Sequence, residues 1–166
     1  MLEFLSFGAL TPVQLYVLCF LIGSFAVAAL SDIRYMKAQS EFVEIWGISG
    51  VVIFLIDLYS CIGSYTQLLL KWSIIALFSF FSHKAIGLYF KLATGDVIAC
   101  IAAVAILPII YVIIFFLLLK LCNFFLRPLL RVFGRGDAYP FMPVIFLTTC
   151  VIFIFGNLKV FYSIFD

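Results

Sequence analysis

Charge is scarce in this chain. Only 11% of its 166 residues are charged, against about a quarter in a soluble domain. Histidine occurs once, which argues against a histidine-based metal site. The five cysteines, Cys19, Cys61, Cys100, Cys122 and Cys150, stand singly within apolar runs. None forms a CxxC pair or has metal-ligand spacing, so they read as small buried hydrophobes. There is no basic run, and the net charge is only +2, so no nucleic-acid partner is expected. No internal repeat, linker or stretch polar enough for a soluble domain is present. The N-terminus has Glu3 and no basic residue ahead of its first apolar run, so it does not read as a cleaved signal peptide.

What is abundant is apolar. Hydrophobic residues make up 67% of the chain, phenylalanine alone supplies 21, and the mean hydropathy is +1.31. A globule of this size cannot hide that much apolar surface from water, so the expected solvent is lipid. A crossing helix needs roughly 20 apolar residues. Runs of that kind extend from about Pro12 to Leu30, Phe42 to Cys61 and Gln67 to Phe81. The stretch Val97 to Leu126 is too long for one span, and Pro108 interrupts it by removing a backbone donor and restricting its neighbour. It divides into spans over about 96–107 and 109–126. A sixth covers about Tyr139 to Leu158. The expectation is an all-α polytopic membrane protein of about six transmembrane helices, with residues 1–166 as a single domain.

The basic residues orient it. Arg34 and Lys37 follow span one, Lys84 and Lys91 separate spans three and four, and Arg127, Arg131 and Arg135 separate spans five and six. With six spans these connections share one side, which the positive-inside rule makes cytoplasmic, leaving both termini outside. Lys71, Lys120 and Lys159 are exceptions, tolerable because long side chains snorkel.

Of the eight acids, Asp32, Glu41, Glu44, Asp96 and Asp137 fall at that cytoplasmic boundary, and Asp57 at the other end. An acid at the hydrocarbon edge is costly unless paired or functional. Two carboxylates brought together share one proton, so one can act as base on a water while the other polarises a peptide carbonyl. That aspartyl chemistry requires no cofactor. Structural readings stand beside it. Asp32 suits a juxtamembrane loop, and Asp96, after Thr94-Gly95, suits a helix first turn. Asp137, in the literal GxGD of residues 134–137, has Arg135 and Arg131 close by and reads as a surface ion pair.

The order of these features resembles the prepilin peptidase family of membrane aspartic proteases. Ser31-Asp32-Ile33-Arg34 after span one is similar to the family's SDIR start. Ala93-Thr94-Gly95-Asp96-Val97 at the head of span four is similar to its GxGDVK, and Ala138-Tyr139-Pro140-Phe141-Met142-Pro143 resembles its Pro-aromatic stretch before span six. The resemblance covers nearly the whole chain and is closest to compact members without an additional methylating domain. It implies six spans, Asp32 and Asp96 as the catalytic pair, and Gly95 and Pro140 as supporting motif positions. The literal GxGD containing Asp137 then lies outside the site. The implied substrate is a prepilin-like protein with a basic leader, cut at the cytoplasmic face of the inner membrane. Glu41 and Glu44 could attract that leader, although acids also suit a helix start.

The chain departs from the family pattern at four places. Ala93 stands for a glycine, Ile98 for a lysine, Ala38-Gln39-Ser40 for IPN, and Met142 for a glycine. These leave open a divergent enzyme or an inactive relative. A non-enzymatic membrane subunit of a pilus or secretion assembly is the rival class. A transporter would need polar groups across its midplane, where only Asp57 and Lys120 break the spans. The presenilin-like proteases use the same chemistry, but their Pro-Ala-Leu motif is absent.

Overall fold

The structure, a computed structural model, describes residues 10–37, 39–60, 65–87, 90–134 and 138–165, with the side chains of Ser60 and of residues 158–165 left aside. Among these residues it is an all-α membrane protein of six α-helices: α1 (Pro12–Tyr35), α2 (Ser40–Ser60), α3 (Tyr65–Ser82), α4 (Thr94–Ala105), α5 (Ile109–Leu130) and α6 (Met142–Phe165). A short 3₁₀ turn, Arg131–Phe133, follows α5. Helices α1, α2, α3 and α5 are each long and apolar enough to cross a membrane. They expose large hydrophobic side chains such as Tyr16, Phe20, Ile48, Leu69 and Leu117 on their outer faces. In hydrocarbon, with no water to satisfy backbone polar groups, a helix is the one open-chain solution.

The helix ends follow local chemistry. Thr11 caps α1 by accepting from the Gln14 N–H at 3.3 Å while Gln14 Oε1 accepts from the Thr11 N–H at 2.9 Å, ahead of a proline at the first helical position. Helix α1 does not stop at Leu30 but continues through Ser31-Asp32-Ile33-Arg34. It ends at Met36, whose backbone is left-handed (φ 57°) and whose N–H donates to the Asp32 carbonyl at 2.8 Å. Asp32 is therefore a helical residue, not a loop residue. Helix α5 likewise runs on to Leu130, carrying Arg127 on the helix and including Pro128 in its last turn. Helix α6 starts at Met142 rather than at Tyr139.

Helix α4 is the hub. It touches each of the other five helices. Four alanines, Ala99, Ala102, Ala103 and Ala105, are among its buried residues and let neighbouring backbones come close. At 12 residues it is about 18 Å long, too short to cross hydrocarbon alone. Its ends are served from inside the bundle, and Gln14 Nε2 of α1 donates to the Ile106 carbonyl just past its C-terminus at 2.9 Å. Helix α2 packs on α4 through glycines. A Cβ at Gly50 would touch Ile101 at 3.4 Å, and one at Gly95 would touch Val43 at 3.3 Å. Trp46 ties α2 to α1, edge-on to Phe25 (centroids 5.0 Å apart) and donating to Ser24 Oγ at 3.0 Å. Cys100 is buried as expected, whereas Cys19 lies on the outer surface; Cys61 is outside the described residues.

At one end of the bundle α2 and α3 are joined by an ion pair. Lys71 Nζ donates to Asp57 Oδ2 at 2.7 Å, and Trp72 Nε1 donates to the same oxygen at 3.1 Å. At the other end the α1–α2, α3–α4 and α5–α6 connections converge around a cavity.

Candidate active site

The cavity measures about 1350 Å³. One wall carries Asp32, Glu44 and Asp96, and all three descend from local helix geometry. Asp32 lies in the last turn of α1 and is buried, only 7% exposed. Its Oδ2 accepts from the Met142 N–H at 3.0 Å, across 110 residues of sequence. The N–H groups of a helix's first turn have no partner within the helix, and an acid there also faces the positive end of the helix dipole. Asp32 thus serves α6 as a cap supplied by another helix. The buried Pro140 and Phe141 lead directly into that first turn, and the Phe141 carbonyl accepts from Val144 at 2.9 Å.

Asp96 is in the first turn of α4. Its Oδ2 accepts from the Ala93 N–H at 3.3 Å, which is the return half of a capping box. Ala93 has φ −68° and ψ 159°, ordinary extended backbone, so alanine is accommodated there without the freedom of a glycine. Gly95 has a packing reason instead, its closeness to Val43 of α2. Ile98 faces the same helix, its Cγ2 3.9 Å from where a Cβ at Gly47 would lie. At Met142 the side chain is buried in the core, and what Asp32 uses is the backbone N–H that any non-proline residue supplies. Gln39 is exposed.

The fold therefore brings Asp32 and Asp96 to one cavity, within electrostatic reach of each other. Neither is ion-paired among the described residues; their hydrogen-bond partners there are backbone N–H groups. Glu44 shares the cavity, but Glu41 does not line it and instead accepts from Ser40 Oγ at 3.3 Å. Asp137, with Arg135 and Gly136, is outside the described residues. Gly134, the first residue of that literal GxGD, has a structural reason: a Cβ there would collide with the Ala138 carbonyl oxygen.

The α5 side of the lining is basic, and a reading of Arg127 and Arg131 as loop residues and Lys120 as isolated misses it. Lys120, Asn123, Phe124, Arg127 and Arg131 all line the cavity from α5 and the turn after it. Their spacing of three and four residues is the helical repeat, and that repeat, carried past Leu126, is the signal in the sequence that identifies the wall. Tyr139 closes it from the α5–α6 connection. Burial pushes its phenol up from the ordinary range, so the neutral hydroxyl donates to Asn123 Oδ1 at 2.6 Å, and the Arg127 guanidinium lies 5.8 Å from its ring centre. His83 stands outside the cavity lining, its Nε2 3.3 Å from Thr94 Oγ1 at the head of α4. No group of three or more histidine, cysteine or acidic residues with metal-site geometry occurs among the described residues.

Compared with known proteins, the chain matches no family model, no curated protein and no solved structure.

Proposed function

We propose that this chain is a membrane aspartic endopeptidase that removes the basic leader of a prepilin-like protein at the cytoplasmic face of the inner membrane, with six crossings and both termini outside. The observation that carries the reading is the convergence of Asp32 and Asp96, far apart in sequence, on one cavity, with no cation paired to either among the described residues. In the proposed reaction the ionised carboxylate takes a proton from water as the oxygen attacks the scissile carbonyl carbon. The protonated carboxyl gives its proton to the carbonyl oxygen. The tetrahedral intermediate then collapses, the C–N bond breaks, and the amine leaves with a proton from the dyad. Glu44, on the same wall, is in position to meet a basic leader. The resemblance in the SDIR, GD and Pro-aromatic stretches supports the substrate class.

A second reading has its own observation. Asp32 already has a structural task, capping α6 through Met142, which fits an inactive relative serving as a membrane subunit. Substitution by asparagine separates the two. Asp32→Asn keeps a side-chain oxygen for the Met142 N–H but cannot ionise. Purified protein is incubated with a peptide made of a basic leader and a hydrophobic helix, and leader release is measured. The peptidase reading expects release by the parent chain and none by Asp32→Asn with its fold intact. The subunit reading expects no release from either.

A further inference from the structure

The described lining of the cavity carries more basic than acidic side chains. Among the described residues, Lys37, Lys91, Lys120, Arg127 and Arg131 line it against Asp32, Glu44 and Asp96. The imbalance is concentrated on the α5 wall, where Lys120, Arg127 and Arg131 follow one helical face over about 16 Å, from roughly mid-helix to its end. Phe124 lines the same wall while remaining 74% exposed, and Leu121, Phe125 and Leu129 continue that exposed surface around the helix. The basic wall is thus continuous with an apolar outer face. That combination matches one chemical class, a molecule with an anionic head and acyl chains. Basic pockets near a membrane surface with an apolar approach attract anionic phospholipids in this way.

We infer that the α5 wall of the cavity binds the headgroup of an anionic phospholipid, its phosphate between Arg127 and Arg131 and its chains along Phe124 and Phe125. Tyr139 and Asn123, hydrogen-bonded to each other beside Arg127, hold the wall's shape. The site stands whether or not the chain is a peptidase. One consequence does rest on the peptidase reading: a bound phosphate offsets the basic wall and leaves the cavity hospitable to a basic leader.

The test is lipid retention by the full-length protein, purified in a neutral detergent and exposed to equal amounts of phosphatidylglycerol and phosphatidylcholine, then read by native mass spectrometry. Phosphatidylglycerol is expected to be retained about tenfold or more over phosphatidylcholine, a conservative figure for two or three basic side chains at a charged site. Arg127→Gln with Arg131→Gln should abolish the preference with helicity unchanged by circular dichroism. Arg131→Gln alone, at the exposed end of α5, should reduce it if the double variant fails to fold. Equal retention of the two lipids, or a preference unchanged in these variants, overturns the inference. Loss of bound lipid to excess inorganic phosphate would show a site for the bare anion instead. Retention of an acidic peptide with no preference between lipids would show a peptide site; either result also overturns it.

Discussion

Asp57 and the Asp32–Asp96 pair occupy opposite ends of the same bundle and are held in opposite ways. Asp57 has a cation at 2.7 Å and an indole N–H at 3.1 Å on the same oxygen. It is a joint between α2 and α3, and its charge is neutralised where it lies. Asp32 and Asp96 lie in a cavity lined by lysines and arginines, yet each is held by a backbone N–H instead. A carboxylate in contact with a lysine has its counter-charge at hand, whereas two carboxylates lining one cavity repel each other when both are ionised. The proposed peptidase reading draws on that difference, with Asp57 as a joint between helices and Asp32 and Asp96 as the reacting pair.

The largest effect that sharpens this contrast is on cleavage. Asp96→Asn should lower leader release by at least about 10²-fold, the scale of a lost general acid or base, whereas Asp57→Asn should leave the rate per folded molecule unchanged. A comparable loss in both would erase the distinction. The rate should also be bell-shaped in pH. On the acid side the basic carboxylate is protonated and cannot activate water, and on the alkaline side the dyad loses the proton it must donate. A rate measured across pH that rises to a plateau would contradict a shared proton.

Stability should show the reverse ranking. Asp57→Asn leaves Lys71 without its counter-charge between α2 and α3 and should cost about 1–3 kcal/mol in denaturant unfolding. Asp32→Asn, which keeps an acceptor for Met142, should cost under about 1 kcal/mol. Asp32→Leu removes the cap and should cost about 1–2 kcal/mol. Gly134→Ala should cost about 1–3 kcal/mol, because the new methyl meets the Ala138 carbonyl oxygen. A neutral Gly134→Ala in the same assay would mean that this turn is not constrained by close approach.

The architecture is legible where composition alone decides it. Apolar runs of the right length, split at Pro108, mark all six helices to within a few residues at most ends. Two of the misplaced ends, the C-termini of α1 and α5, share a cause. Hydropathy stops at the last apolar residue, but helices α1 and α5 run on through polar residues because those residues face a cavity instead of lipid. By hydropathy alone Asp32 therefore reads as a loop residue, and Arg127 and Arg131 as loop cations. Cost at a hydrocarbon edge marks Asp32 and Asp96 together with Glu41, Glu44 and Asp137, and only the resemblance in the SDIR and GD stretches singles out that pair. The contact between Asp32 and Met142 spans 110 residues and leaves no local pattern. The basic wall does leave one, at 120, 123, 127 and 131, visible only when the helix is continued past Leu126. The matched pair of Asp57 and Lys71 is equally hidden, since nothing local says that the α2 and α3 ends adjoin.

The most direct test of the central claim is leader release from a prepilin-like peptide by Asp32→Asn protein, alongside the parent chain, with Met142 capping checked by unchanged unfolding. The account predicts release by the parent, none by Asp32→Asn, and stabilities of the two that agree to within the small cost of the amide. Release by Asp32→Asn at the parent rate would contradict it, and would leave Asp32 as the cap of α6 alone.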